Sequence, residues 1–487
     1  MSPSRLLVPV LFVLAWGATL TPLHRLYGFG DRTTIIGAVE GAVLFAAGAA
    51  ILAAARRRRA PTLAVLVAIA VGWIALTAVT NAVEPVRDRS AAARHASSAP
   101  SSSSQPAASR RVLMLCVDGL DWNALDQLLA GGSLPFLAQL ISNARTYEVD
   151  NHGLALSPGI WARAYTGNAQ EPIQGFAKWS PRGTQRDIAI LPLWRHRPVF
   201  MLDRVLTLGS AFHFWDTVAA SNADFAHPPL WRVASAARAR VGVFDPLPMD
   251  VIGEQVNGFF VWLADDGFRL ASSNGGSRPT VERIRDETSS TSLDSVIRSE
   301  ALRAQVAARA FAREQPDIGI YYTHILDAVG HMIWEPAGTH NVAEARAERA
   351  RPVTAGRVAA AYRAVDEALK TLTASFGAPA TILVVSDHGW EFNVYAHRTA
   401  PLGAAIIAGA AGPKGYGGVI PVESLAATVL ALAQVPISPT MVEPIREIVP
   451  HWTTCAACAA IPGTFLLSQG SDTQRQNRLR SLGYITK

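Results

Sequence analysis

Short apolar runs alternate with segments of helical spacing along much of this chain, and this alternation decides its fold class. The first run reads VLMLCV, at Val112–Val117, and ends directly at an Asp-Gly pair. A continuous apolar run of this length is typical of a strand buried on both faces of a parallel sheet. Further runs lie at residues 318–322, 381–385 and 404–408, and segments with helical spacing lie at residues 123–143 and 357–373. The order predicts an α/β fold with a doubly wound, mostly parallel sheet.

Side chains that bind metals are concentrated at or near the ends of these runs. In a doubly wound sheet, binding sites lie beyond the carboxyl ends of the strands. The candidate ligands are Asp118, Asp327, His331, Asp387, His388 and His397. Carboxylate and imidazole together suit zinc or a similar divalent ion. These side chains are sufficient for two ions, and two metals about 4 Å apart can hold both the attacking and the leaving oxygen of an in-line displacement.

The segment ALSPGIWARAYTG, at residues 155–167, lies between the first two groups of ligands. It resembles the nucleophile segment of type I phosphodiesterases and nucleotide pyrophosphatases, a branch of the alkaline phosphatase superfamily. Counting back from Thr166 and Gly167 places Ser157 at the nucleophile position, which is also a suitable position for a helix N-cap before a proline. The resemblance covers residues 111–449 apart from an insertion, and the terminal RLRSLGYI is similar to a recurrent ending in this family.

The resemblance implies a metal-dependent hydrolase that cleaves phosphoesters, phosphodiesters in particular, with Ser157 as nucleophile. It also implies two divalent ions, Zn²⁺ being the expected metal. One ion is expected on Asp118, Ser157, Asp387 and His388. The other is expected on Asp327, His331 and His397.

Other activities within the superfamily stay open. Transferases of phosphoethanolamine or phosphoglycerol in cell envelopes, and phosphomonoesterases, have related catalytic domains. Residues 157–161, SPGIW, do not fit the sulfatase pattern, and an inactive binding module would be expected to lack ligands. Gln174-Gly175 stands where relatives often have His-Gly, and the segment that starts at Glu423 also departs from the family pattern. The substrate, a small-molecule, lipid or glycan-linked phosphoester, is therefore open.

Three long apolar stretches at the amino terminus, residues 6–23, 34–55 and 62–83, predict three transmembrane helices. Four arginines, residues 56–59, follow the second stretch, and basic loops face the cytoplasm. The catalytic domain is therefore expected outside the cytoplasm on a multi-pass membrane anchor. Glu40, inside the second stretch, is interpreted as a helix-packing residue.

The remaining composition agrees with this organisation. The net charge of +6 includes the four arginines between the spans, and no recognition helix or basic stripe suggests nucleic-acid binding. Cys116 is expected in the core, whereas Cys455 and Cys458 could form a local disulfide in an exported tail. The predicted divisions are a membrane anchor (1–86), a Ser/Ala linker (87–110), a catalytic domain (111–450) with a cap inserted at about 179–316, and a tail (451–487).

Overall fold

A computed structural model describes the chain from residue 110 onward. The described residues are 110–154, 156–173, 177–181, 215–247, 253–264, 267–272, 280–284, 293–334, 342–390, 402–410 and 412–466. The three predicted spans, the linker, Gln174, Gly175, His397 and the RLRSLGYI ending lie outside them. Among the described residues, no single helix is long and apolar enough to cross a membrane. One bent pair of helices, Trp122–Ala130 with Pro135–Ser142, would be long and apolar enough if taken together, by length and composition only.

Strands and helices alternate along the described chain. The strands are β1 (Val112–Val117), β2 (Ala144–Asp150), β3 (Ala177–Pro181), β4 (Trp215–Ala219), β5 (Val241–Phe244), β6 (Gly258–Ala264), β7 (Gly267–Ser272), β8 (Thr280–Ile284), β9 (Ile318–Thr323), β10 (Thr381–Val385), β11 (Gly403–Ala408) and β12 (Gly415–Pro421). The helices are α1 (Trp122–Ala130), α2 (Pro135–Ser142), α3 (Ser157–Thr166), α4 (Leu230–Ala236), α5 (Leu293–Glu314), α6 (Ile325–Trp334), α7 (Val342–Arg349), α8 (Gly356–Phe376) and α9 (Ser424–Leu432).

The main sheet has ten strands in the order β12-β2-β11-β10-β1-β9-β5-β6-β7-β8. Its centre, from β10 to β6, is parallel, as is the outer pair β12 and β2. The pairings of β11 with both neighbours and of β7 with both neighbours are antiparallel. The sheet is therefore mixed, and the predicted parallel pairing holds at its centre. The apolar run at residues 404–408 is a strand, but an apolar pattern carries no information on strand direction.

The segment predicted as an inserted cap contributes instead to the main sheet. Strands β5 to β8 extend the sheet beyond β9, and α5 packs on it. Only β3 and β4, among the described strands, form a separate two-stranded sheet. The physical reason is that VGVF in β5 and GFFVWL in β6 are apolar enough to be buried inside a large sheet.

Helices cover both faces of the sheet, as predicted. Side chains of β1 alternate between two cores: Leu113 and Leu115 face α1, α2, α5, α6 and α8, whereas Met114 and Cys116 face α3, α4 and α9. Strand β1 is fully buried along its length, which matches its continuous apolar sequence. The central strands are thus fixed from both sides, and the loops at their carboxyl ends have a rigid base.

The end of the described chain crosses the loop before β6. Gln255 donates its backbone N–H to Thr464 at 2.8 Å, and Leu466 donates to Gly253 at 2.8 Å. Cys455 and Cys458 form a disulfide, with Cα atoms 5.3 Å apart. This local bond lies in the segment where a disulfide was expected.

Candidate active site

Three adjacent strands deliver the candidate ligands to one edge of the sheet. Asp118 follows β1, Asp387 and His388 follow β10, and Asp327 lies in the first turn of α6 directly after β9. Because β10, β1 and β9 are neighbours and run parallel, their carboxyl ends meet. The backbone N–H of Asp118 donates to the carbonyl of Thr323 at 2.9 Å, which joins the loops after β1 and β9.

The loops after β1 and β10 are joined by several hydrogen bonds. The N–H of Leu120 donates to Ser386 Oγ at 2.9 Å, and this hydroxyl donates to the carbonyl of His388 at 2.9 Å. The N–H of Gly119, in the left-handed region with φ 75°, donates to Asp387 Oδ1 at 3.4 Å. A rigid connection of this kind keeps ligand side chains from two strands in one register.

The imidazole of His388 faces three carboxylates. Its Nε2 lies 3.1 Å from Asp118 Oδ1, 3.5 Å from Asp387 Oδ2 and 3.7 Å from Asp327 Oδ1. The other ring nitrogen, Nδ1, lies 3.0 Å from the carbonyl oxygen of Gly389, a position that suits donation of its N–H. With Nδ1 as the donor there, Nε2 is the ring nitrogen left to bind a metal ion.

The buried charges of this cluster shift one another's pKa values. Burial, followed by the charge of Asp118, raises the pKa of Asp387 well above its usual range. Burial lowers the pKa of His388, but the nearby Asp387 and Asp118 outweigh it and raise that pKa to about 10. Burial raises the pKa of Asp118, but the hydrogen bond and charge of His388 outweigh burial and lower that pKa below its usual value.

A divalent cation fits these side chains. Within the described residues, the ion pairs of Asp118 and Asp387 are both with His388, and Asp327 faces His388 and His331, so three buried carboxylates face two imidazoles. Unbalanced buried charge costs several kcal/mol per ion. Ligand atoms of Asp118, Asp327 and His388 all lie within 4.8 Å of one another, and oxygen and imidazole nitrogen suit Zn²⁺.

The second predicted group is present in part. Asp327 and His331 lie one turn apart on α6, with Asp327 Oδ1 3.4 Å from His331 Nε2. The same oxygen of Asp327 is 3.7 Å from His388, so this carboxylate stands between the two predicted groups. His397, the third residue of the group, lies outside the described residues, and its assignment stays a prediction.

Ser157 begins α3 and points into the cluster. Its hydroxyl Oγ lies 3.2 Å from Asp118 Oδ1 and 3.1 Å from His388 Nε2, and the side chain is fully buried. Pro158 follows in the first turn, where its missing N–H costs no helical hydrogen bond. The helix amino terminus therefore carries a hydroxyl at the metal-binding cluster, and it also favours the negative charge of a phosphate.

Two aromatic side chains that the sequence did not indicate hold Asp118. The hydroxyl of Tyr322 donates to Asp118 Oδ2 at 2.7 Å, and Nε1 of Trp161 donates to the same oxygen at 3.2 Å. Trp161 lies four residues after Ser157, so helical spacing places it on the same side of α3. Successive side chains of β9 point to opposite faces of the sheet, so Tyr322 lies in one core and Tyr321 lies in the core on the other face. Both periodicities were available in the sequence.

Arg163, on the same helix as Ser157, pairs with a carboxylate. Its buried guanidinium faces Glu423, with Nη1 3.5 Å from Oε1, and Glu423 Oε2 lies 2.9 Å from His152 Nε2. The charge of Arg163 is thus balanced by the carboxylate at the start of α9. Lys178 lies in β3, and its side chain is outside the described residues.

Residues 112–407, more than half of the chain, match the family "Type I phosphodiesterase / nucleotide pyrophosphatase". The chain belongs to this family. The match confirms the predicted enzyme class, a hydrolase of the alkaline phosphatase superfamily, and the cluster around His388 agrees with a metal-dependent family. A search of the curated proteins gives no significant match.

Several solved structures are similar to part of this chain at low identity. Phosphonoacetate hydrolase from Sinorhizobium meliloti 1021 is 14% identical, with a TM-score of 0.34 over 58% of this chain and 56% of the hydrolase. Murine ectonucleotide pyrophosphatase/phosphodiesterase 5 is 13% identical, with a TM-score of 0.40 over 68% of this chain and 96% of that chain. A putative sulfatase from Bacteroides fragilis is 10% identical, with a TM-score of 0.37 over 72% of this chain and 80% of that one. The chain thus spans little more than half the length of the phosphonoacetate hydrolase, and none of these similarities indicates a substrate.

Proposed function

We propose that this phosphodiesterase-family chain hydrolyses phosphodiesters outside the cytoplasm with Ser157 as nucleophile and two divalent metal ions. The observation that carries the proposal is the position of Ser157 Oγ, 3.2 Å from Asp118 Oδ1 and 3.1 Å from His388 Nε2 in a buried cluster. Asp118, Asp387 and His388 would hold one ion together with Ser157. Asp327 and His331 would hold the second, together with His397.

A cation bound there would lower the pKa of the serine hydroxyl and orient it. The Oγ of Ser157 forms a bond to phosphorus while the bond from phosphorus to the leaving alcohol oxygen breaks. The proton of the serine hydroxyl passes to water, and the leaving oxygen takes a proton from water, so the leaving group departs as a neutral alcohol. A second water then hydrolyses the phosphoserine ester, which restores Ser157 and releases the phosphate monoester. Tyr322 and Trp161 keep Asp118 oriented throughout.

The nucleophile is tested by replacing Ser157 with Ala in the full-length protein. We expect hydrolysis of bis(p-nitrophenyl) phosphate to be lost while bound zinc is retained, because the carboxylates and His388 remain. Ser424→Ala is the matched control, since Ser424 is also a buried serine at the first position of a helix, and its hydroxyl donates to Pro421 at 2.7 Å instead. Near-normal turnover by the Ser157 variant would mean that water attacks phosphorus directly.

The preference for diesters rests on charge. A diester carries one negative charge at neutral pH, whereas a monoester carries nearly two. A monoester site is expected to place Arg or Lys at the phosphate, but Arg163 is balanced by Glu423. We expect a higher kcat/KM for bis(p-nitrophenyl) phosphate than for p-nitrophenyl phosphate. The reverse preference would assign the chain to the phosphatases.

Transfer to a lipid or glycan acceptor is the alternative fate of the phosphoserine ester. Such transfer would be seen as a phosphorylated acceptor whose yield increases with added alcohol or glycan, while the yield of free phosphate monoester declines. Strict hydrolysis instead gives a monoester yield that is independent of the acceptor.

The membrane anchor is part of the same proposal and rests on the three apolar stretches and residues 56–59. Reporter fusions placed after residue 83 are expected to be active only outside the cytoplasm. Activity of such a fusion inside the cytoplasm would reverse the orientation.

A further inference from the structure

The indole of Trp390 lies between the two histidine-bearing segments of the site. Its ring centroid is 5.3 Å from that of His331 on α6 and 6.3 Å from that of His388 after β10. Both contacts are edge-on, with interplanar angles of 82° and 67°, and Trp390 is buried. One aromatic side chain therefore contacts an imidazole from each of the two predicted metal groups.

The indole of Trp390 occupies space that is available because two neighbouring residues are glycines. A Cβ added to Gly330, on α6, would lie 2.3 Å from Cζ2 of Trp390. A Cβ added to Gly119, after β1, would lie 2.5 Å from its Nε1. Gly330 is inside a helix and is not among the residues with positive φ, so its backbone conformation does not require glycine. The close approach of Trp390 is the reason that a side chain cannot be accommodated there.

The backbone of Trp390 is fixed as well. Its N–H donates to Asp121 Oδ2 at 3.2 Å, and Asp121 Oδ1 accepts the N–H of Ala124 at 3.0 Å as the N-cap of α1. A Cβ on Gly389 would lie 2.4 Å from Asp121 Oδ2, so this approach is also tight. The backbone of Trp390 is thus held by Asp121, the N-cap residue of α1, and a shift of this backbone would break that hydrogen bond.

We propose that Trp390 is a positioning residue that sets the distance between α6 and the loop after β10. Through Gly330 it fixes where Asp327 and His331 stand relative to Asp387 and His388. The inference rests on the proposed function, because its consequence is metal binding by these four residues. It assigns to Trp390 and Gly330 a contribution to metal affinity without direct contact with the metal.

The test is a double-mutant cycle of Gly330→Ala and Trp390→Phe in the full-length protein. Bound zinc is counted after dialysis against buffered free Zn²⁺, and folding is checked by circular dichroism. Outer-shell changes cost about 10–100-fold in metal affinity, and we expect Gly330→Ala to lie in this range because its methyl group displaces the indole. Phenylalanine lacks Cζ2 and Cη2, so the double variant is expected to regain most of the affinity that Gly330→Ala loses.

A matched cycle far from the site uses Gly253 and Trp262. A Cβ on Gly253 would lie 2.6 Å from Cζ2 of Trp262, which is the same kind of contact on β6. Gly253→Ala and Trp262→Phe are expected to change thermal stability but leave zinc affinity unchanged.

Two results would overturn the inference alone. One is unchanged zinc affinity in folded Gly330→Ala and Trp390→Phe. The other is an equal loss of zinc affinity in the control cycle, which would mean that any core disturbance has this effect. A wild-type chain that binds no zinc would overturn both this inference and the proposed function, whereas zinc binding with insensitive variants overturns the inference alone.

Discussion

Tyr322→Phe removes one hydroxyl from the site and nothing else. That hydroxyl donates to Asp118 Oδ2 at 2.7 Å, and both residues are fully buried. Hydrogen bonds to charged groups contribute about 1.5–3 kcal/mol, and each 1.4 kcal/mol is a factor of about ten in affinity. Because Trp161 still donates to the same oxygen at 3.2 Å, we expect the lower end, a loss of about tenfold in zinc affinity.

The assay is zinc binding at controlled free Zn²⁺, with kcat/KM measured in parallel. Tyr321→Phe is the matched control, since Tyr321 precedes Tyr322 on β9, is equally buried, and donates to Glu300 Oε1 at 2.8 Å on the other face of the sheet. The control is expected to lose stability but not zinc affinity. The reasoning is refuted if Tyr322→Phe binds zinc as the wild type does, or if both variants lose affinity equally.

Three further outcomes are expected. Chelation should abolish activity and lower the midpoint of thermal unfolding, with both restored by Zn²⁺, because the buried carboxylates lose their balancing charge. Glu300→Gln should reduce the free energy of unfolding in urea by about 1–3 kcal/mol, since Glu300 accepts hydrogen bonds from Tyr321 and from Thr323 at 2.5 Å. The hydrogen bond to Glu423 raises the pKa of His152 above its usual 6.5. The protonated imidazole therefore stabilises the folded state at low pH, and this stabilisation is lost as the pH rises through the raised pKa. His152→Gln should remove this pH dependence from urea midpoints measured between about pH 6 and about pH 9.

The central strands could be predicted from sequence because each is apolar throughout. β1, β9 and β10 occupy the predicted runs and end at the predicted loops. The direction of β11 could not be predicted, since hydrophobic patterns are the same for parallel and antiparallel strands in a buried sheet. β5 and β6 were assigned to a cap because the aromatic residues around them obscured two short apolar runs.

The metal ligands stay a prediction, which the sequence supported because Asp and His follow apolar runs; the structure brings Asp118, Asp327 and His388 together. Tyr322, Trp161 and Trp390 were missed because aromatic residues in apolar surroundings look like ordinary core. Only the three-dimensional contacts separate Tyr322, whose hydroxyl faces Asp118, from Tyr321, whose hydroxyl faces Glu300. Polar atoms at the tips of buried aromatics carry the information that hydrophobic patterns omit.

A mixed sheet still gathers the described groups of the site at one edge, and strand direction explains why. β10, β1 and β9 are parallel, so Asp387, Asp118 and Asp327 follow strands that end together. β2 is antiparallel to β11, and β11 is antiparallel to β10. Two reversals restore the original direction, so β2 also ends at the active-site edge, and α3 with Ser157 follows it. Among the described residues, none of the proposed groups lies on the antiparallel β11, which sits between β2 and β10. The site therefore depends on which strands run in the same direction and not on a parallel sheet as a whole.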